Sequence, residues 1–261
     1  MSYKTDYHIH TTFSDGKAAP EEYIAPAIAA DISEIGFSEH LSLFSKNQDW
    51  VMNPEHMDKY LDYIDNLRNK TNNIIIRSGL EVDYIEGKEQ EISNFLNRFD
   101  LDYRIGSVHY LGKRTVDEGP DFYEGKSFDK LFELYFSVVR SAVLSEIFDI
   151  IGHCDLIRIF GYKPTCDPEP YYRELARTMK KHDIVFEVNT NGRNKPVADF
   201  YPDPRFLRIF SEEKVAVCVN SDAHMPVRVG QYFDDAYQLL KSAGFKEMAV
   251  FSRRKRRFVP I

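Results

Sequence analysis

Six of the eight histidines in this chain stand where a short apolar run ends, and several carboxylates stand at the same kind of place. The first run closes on His8 and His10 in YHIHTTFSDG, with Asp15 at the turn that follows. His40 comes next in IGFSEH, Glu81 in IIIRSGLEVDY and His109 in YRIGSVHY. His153 ends DIIGHCDL, Glu187 lies in IVFEVNT, and Asp222 with His224 closes VAVCVNSDAH. These points recur at intervals of roughly 30 to 45 residues, enough for a strand, a helix and their loops. A fold that gathers seven strand ends at one place is a parallel barrel, whose C-terminal mouth carries the chemistry. Imidazole and carboxylate donors converging there suit zinc, iron or manganese with open coordination positions.

Apolar runs predict strands at residues 3–10, 34–38, 74–82, 103–108, 149–153, 184–189 and 215–220. One-sided apolar stripes predict helices at 20–31, 54–68, 127–147, 168–182, 204–213 and 229–243. The longer connections, 41–53, 110–126, 156–167 and 190–203, then lie over the mouth. No linker divides the chain, so 1–261 is expected to be one barrel domain. The net charge of −7 argues against a nucleic-acid partner. The start of the sequence has no apolar leader, no run is long enough to span a membrane, and the three cysteines lack paired spacing. A cytoplasmic protein with reduced thiols is expected, and a homo-oligomer is allowed but not specified.

Residues i and i+2 of a strand face one side, so His8 and His10 can grip one cation together. Asp15 can reach a neighbouring cation, with Gly16 permitting the turn. Asp222 and His224 repeat the same spacing after a buried run, where a carboxylate must be paired or metal-bound. The two oxygens of Glu81 make it the candidate bridge, with Asp83 on the same strand face as competitor. Glu187 and Asn189 are expected to orient ligands. His56 and His182 fall in helical stretches and read as bystanders. Cys154 would point away from the ligand face. Arg158 and Arg193 fall in mouth loops, where guanidinium groups suit a phosphate ester. The run Arg253 to Arg257 reads as a solvated end strand or tail.

The motifs HIHTTFSDG, FSEH, GLEVDY, IGSVHYL, GHCDLIR, EVNTNGR and NSDAH, in this order, resemble the polymerase and histidinol phosphatase (PHP) superfamily. Within it they resemble the monofunctional histidinol-phosphate phosphatases, most closely in TNGRNKPVADFYP. The resemblance implies an α/β fold, a distorted (β/α)7 barrel with a trinuclear centre of zinc, iron or manganese at its C-terminal mouth. It implies one cation on His8, His10, Glu81 and Asp222, and a second on Glu81, His109 and His153. A third would be held by Asp15, His40 and His224. Many superfamily members carry His at the place of Asp15, and an oxygen ligand favours a harder cation there. Arg158 and Arg193 would clamp phosphate. The expected reaction is hydrolysis of L-histidinol phosphate in histidine synthesis, by attack of a metal-bridging hydroxide. Asp222 and His224 are candidate proton donors to the leaving group. The acidic loop 117–124, Glu118 in particular, is the candidate for the substrate ammonium, with Phe122 or Tyr123 against the ring. The alternatives are another phosphate ester, such as a nucleotide, a sugar phosphate or phosphotyrosine, or a non-catalytic interaction module stabilised by metal.

Overall fold

The computed structural model of the chain describes residues 3–44 and 48–261. The strands, in chain order, are β1 (Lys4–Asp6), β2 (Ile32–Leu41), β3 (Ile75–Asp83), β4 (Tyr103–Ser107), β5 (Tyr110–Leu111) and β6 (Arg114–Thr115). They continue as β7 (Ile150–Ile151), β8 (Val185–Asn189), β9 (Val217–Asn220), β10 (Glu247–Ser252) and β11 (Lys255–Pro260). The helices are α1 (Ile24–Ala29), α2 (Met57–Lys70), α3 (Glu89–Leu96), α4 (Phe128–Leu144), α5 (Glu169–Lys181), α6 (Leu207–Glu212) and α7 (Phe233–Ala243).

Seven strands form one sheet in the order β1-β2-β3-β4-β7-β8-β9, and every neighbouring pair is parallel. Both faces are buried, which explains the near-continuous apolar runs. The sheet curls until its first and last strands meet, as the barrel reading required. The join is not a regular ladder. Ile9 and Ala223 make an isolated parallel bridge, with His10 N donating to Ala223 O (2.9 Å) and Ala223 N to His8 O (3.1 Å). Below it, side chains do the pairing. Asn220 Oδ1 accepts from Tyr7 N at 2.8 Å, and Asp6 accepts from Ser221 N at 2.9 Å. The predicted strand 3–10 is therefore regular only to Asp6.

Tyr103 fills the barrel interior. Its hydroxyl donates to the carbonyls of Tyr7 (2.6 Å) and Phe37 (3.1 Å). A Cβ on Gly79 would lie 2.3 Å from its ring, so the strand must approach without a side chain. Outside, α4 buries Phe132, Tyr135, Val138, Val139 and Val143 along the predicted stripe, and Ser127 caps it by accepting from Lys130 N. The sequence reading omitted α3, a short helix that buries only Ile92 and Leu96.

The basic run is half of the antiparallel hairpin β10–β11, which closes the end of the barrel opposite the mouth. Arg254 forks onto Asp149, with Nε 3.0 Å from Oδ2 and Nη2 3.0 Å from Oδ1. Arg257 reaches Glu34 at 2.7 Å and Arg256 pairs with Asp183. These charges are spent on the barrel's own carboxylates. Among the described residues, no helix is long and apolar enough to cross a membrane.

Candidate metal centre

Strand register brings the first donors together. His40 on β2 lies directly opposite Glu81 on β3. The β1–β9 join sets His8 and His10 beside Asp222 and His224. Asp15 comes back to the same place because buried Glu39 gathers the loop, accepting from Thr11 N (3.0 Å), Thr11 Oγ1 (2.6 Å) and Ser14 Oγ (2.5 Å). Gly16 is required by close approach, since a Cβ there would sit 2.1 Å from His10 O. His153 and Asp222 adopt positive φ angles of 22° and 51°. Such backbone costs about 1–3 kcal/mol for a side chain that must be aimed.

All nine expected ligands fall into four overlapping groups whose donor atoms lie within 4.8 Å of one another. They are His10, Asp15, His40 and His224; His8, Glu81 and His153; His8, His10 and Asp222; and His40, Glu81 and His109. Glu81 is at the centre. Its Oε1 faces His153 Nε2 at 2.8 Å and His109 Nε2 at 3.6 Å. Its Oε2 faces His40 Nδ1 at 2.7 Å, His8 Nε2 at 3.2 Å and His10 Nε2 at 3.5 Å. The two oxygens thus serve different imidazoles, as a bridging carboxylate would. His224 Nε2 and His40 Nε2 face Asp15 Oδ1 at 3.3 and 3.7 Å. The geometric groups divide the ligands differently from the resemblance: His153 groups with His8, His109 with His40, His10 also joins Asp15, His40 and His224, and Glu81 is absent from the group of His8, His10 and Asp222.

The donors are oriented from behind. His8 Nδ1 lies 2.7 Å from Glu187 Oε1, and Asn220 Nδ2 donates to the same oxygen at 2.8 Å. Glu187 Oε2 accepts from His153 N (2.8 Å) and Asn189 Nδ2 (3.0 Å). Asp83 takes His109 Nδ1 at 2.6 Å. Ser107 Oγ donates to Glu81 Oε1 at 2.6 Å. Glu187 and Asp83 therefore belong behind the ligands, each fixing which ring nitrogen faces inward.

The residues fit a cluster of cations. Among the described residues, His8 Nε2, both nitrogens of His10, Asp15 Oδ1 and Glu81 Oε2 are buried without a hydrogen-bond partner. Several face one another at short range but out of hydrogen-bond alignment. Unpaired buried polar atoms are costly, and a mixed imidazole and carboxylate set satisfies zinc, iron or manganese. Burial disfavours charge on His8, yet Glu187, Glu81 and Asp222 outweigh it and hold its pKa well above the usual imidazole range. His109 is likewise raised to about 10 against burial, by the Asp83 hydrogen bond and the Glu81 charge. Burial opposes ionisation of Glu81, but His8, His40 and His109 hold it well below the usual carboxylate range. Burial, with His40 and His224 alongside, pushes His10 the other way, well below the usual imidazole range.

A cavity of about 390 Å³ opens over the cluster, a size typical of small-molecule sites. All four expected mouth connections contribute. They supply Gln48 and Trp50; Lys113, Asp117 and Glu118; Leu156 and Ile159; and Asn191, Lys195 and Tyr201. Residues 45–47 of the first connection lie outside the described residues. Trp50 sets its ring edge-on to His40 and His109, with centroids 5.1 and 5.8 Å apart.

Contrary to the sequence expectation, Arg158, Arg193 and part of the acidic loop stand outside the cavity lining. Arg158 is buried behind the wall, its Nη1 2.7 Å from Asp155 Oδ2 and its Nη2 3.6 Å from Asp203 Oδ2. Arg193 stacks on Phe200 (4.4 Å) and pairs with Asp235. The lysine cations in the lining are Lys113 and Lys195, which sequence reasoning did not single out. Of the acidic loop, Asp117 and Glu118 line the cavity while Asp121 pairs with Arg114 outside it. Glu118 also bonds to Arg114. Phe122 and Tyr123 are buried beneath the loop, and the aromatic lining comes from Trp50, Tyr110 and Tyr201. Trp50, Lys113, Lys195 and Tyr201 carry no spacing signal, because each lies outside the regular strands and helices. The bystander readings agree with the geometry: His56 is exposed at the start of α2, and His182 pairs with Glu146 at the end of α5. Cys154 is buried outside the ligand groups.

The family model of the PHP domain matches residues 6–191. A protein of Deinococcus radiodurans described as a probable histidinol-phosphatase is 34% identical, across 96% of this chain and 97% of its own length. The histidinol-phosphatase of Lactococcus lactis is 27% identical across 97% of this chain and 96% of that protein. A crystal structure of histidinol phosphate phosphatase from Lactococcus lactis, complexed with zinc, L-histidinol and phosphate, matches 98% of this chain and 100% of that one. Its TM-score is 0.85 at 27% identity.

Proposed function

The chain belongs to the PHP domain family, and on that premise we propose that it is a metal-dependent phosphatase converting L-histidinol phosphate to L-histidinol and phosphate. The observation that carries this reading is the divided Glu81 carboxylate, ringed by five imidazoles at the floor of a cavity whose walls hold both signs of charge. The substrate has the matching polarity: a phosphate at one end, and an ammonium and an imidazole at the other.

His8, His10, Glu81, Asp222, His109, His153, Asp15, His40 and His224 would hold the cations, and the whole chain would act as one barrel domain. Bound there, cations supply activation of water and stabilisation of charge on phosphoryl oxygens. Glu187 and Asp83 keep the inward nitrogens of His8 and His109 in the ligating tautomer. Lys113 and Lys195 offer positive charge to the phosphoryl group, and Asp117 and Glu118 offer negative charge to the ammonium. Trp50 and Tyr110 give the imidazole an apolar face. The net charge and the self-paired basic hairpin favour a small anionic substrate over a nucleic acid.

The test is phosphate release from L-histidinol phosphate set against nucleotides, sugar phosphates and a phosphotyrosyl peptide, before and after chelation. Histidinol phosphate is expected to exceed the others in kcat/KM, and chelation to abolish the reaction. Equal turnover of all four would leave a general phosphoesterase.

A further inference from the structure

Tyr201 is placed unlike the other buried tyrosines. Its backbone is locked to Asn189 at the end of β8, with Asn189 N donating to Tyr201 O (2.7 Å) and Tyr201 N to Asn189 O (3.1 Å). Its ring stands edge-on to His153, with centroids 6.4 Å apart, and forms part of the cavity wall. The residue is 2% exposed, and its hydroxyl has no hydrogen-bond partner among the described residues.

An unpaired buried hydroxyl destabilises a fold by about 1–3 kcal/mol, and phenylalanine would avoid that cost in the same space. The hydroxyls of Tyr23 and Tyr135 are also without a close partner, but backbone groups of Lys17 and Ala18, and of Leu156, stand near them. After burial itself, what surrounds the Tyr201 hydroxyl is charge: Asp155, Arg158 and Asp222. Asp222 is a candidate cation ligand, and Tyr201, His153 and Asp222 line the same cavity. It shares its unpaired state with His8 Nε2 and Glu81 Oε2, the atoms that face the centre.

We propose that the Tyr201 hydroxyl donates a hydrogen bond to a phosphoryl oxygen of the ligand in this cavity, which makes Tyr201 a substrate-binding residue of the phosphatase site. This assignment rests on the phosphatase reading given above.

The experiment compares metal-loaded wild type, Tyr201→Phe and the control Tyr135→Phe. Three quantities are measured: calorimetric affinity for inorganic phosphate, kcat/KM for L-histidinol phosphate, and the thermal midpoint without phosphate. Tyr201→Phe is expected to weaken phosphate binding and lower kcat/KM by about 10- to 100-fold, the range for a hydrogen bond to a charged group. Its thermal midpoint should hold or rise, because no internal bond is lost. Tyr135→Phe should bind phosphate and turn over as wild type does. Unchanged phosphate affinity in Tyr201→Phe, or no phosphate binding by wild type, overturns the assignment. Phosphate binding that depends on Tyr201 in a wild-type protein inactive on histidinol phosphate would support the assignment and sink only the choice of substrate.

Discussion

His8 Nδ1 and Glu187 Oε1 meet at 2.7 Å with both side chains wholly buried, linking the segment after β1 to β8, the neighbour of the last strand. The contact aims His8 Nε2 at Glu81, and it commits Glu187 to orientation. Replacing Glu187 by Gln should keep the fold but let the ring choose the wrong tautomer. Cation affinity is expected to fall by about 10- to 100-fold, read by competition with a chelating dye. Asp83→Asn, behind His109, should act in the same direction. Unaltered affinity in both variants would show that these carboxylates only fill space.

Ligands and bystanders should separate cleanly. His153→Ala should reduce kcat by orders of magnitude, because it removes a donor to the shared Glu81 oxygen. His56→Ala and His182→Ala should stay within a few-fold of wild type. A large loss from His182→Ala, whose imidazole pairs with Glu146 at the end of α5, would mean that the catalytic mouth lies elsewhere.

Elemental analysis of fully loaded protein should find three cations per chain. Asp15→Ala is expected to remove one and keep the pair around Glu81, whereas His109→Ala should weaken that pair. Trp50 is the chain's single tryptophan and touches both His40 and His109. Its fluorescence should therefore change as cations are added. A wild-type enzyme fully active with one bound cation would contradict the trinuclear reading.

Cation uptake should depend on pH. His8, His109 and His224 have raised pKa values in the cation-free cluster, and ligation needs their neutral forms. Protons therefore compete with cations, and affinity should fall as pH falls, with proton release measurable by titration in buffers of different ionisation enthalpy. Stability of the stripped protein runs the other way. A raised folded pKa means that the His109 contribution is present in full below its ordinary value of 6.5 and is lost as pH rises through about 10. A stripped protein that gains stability across that upper range would refute the assignment.

The acidic loop can be dissected. Asp117→Asn with Glu118→Gln should raise KM for histidinol phosphate several-fold and spare an aryl phosphate. Asp121→Asn with Glu124→Gln should alter neither. Lys195→Ala, Arg158→Ala and Arg193→Ala, measured on both substrates, will rank the three cations. If the lining decides, Lys195→Ala damages both substrates and Arg193→Ala the least.

What the sequence revealed follows from periodicity. Strand ends recur regularly, so the nine residues that the fold gathers into four donor groups can be read from where apolar runs stop or turn, and so can the parallel barrel. The fold's departures lie where side chains replace the ladder: Asp6 and Asn220 carry the β1–β9 join, and no alternation announces that. The cavity wall was the least legible part. Trp50, Lys113, Lys195 and Tyr201 come from loops whose paths are set by contacts distant in sequence. Arg158 and Arg193 can be assigned to their loops from the sequence, but their nearest anions, Asp155 and Asp235, are visible only in the fold.

The irregular join has a consequence for how the molecule holds its shape. His8 and Asp222 are separated by most of the chain, and they lie on opposite sides of the one junction that the sheet closes with a single bridge and a few side-chain contacts. An ion held by both acts as a clasp across a very long loop, where a cross-link restricts the unfolded chain most. The same ion that readies the site for chemistry would then fasten the barrel shut at its weakest edge, and losing it would loosen the staves as well as silence the enzyme.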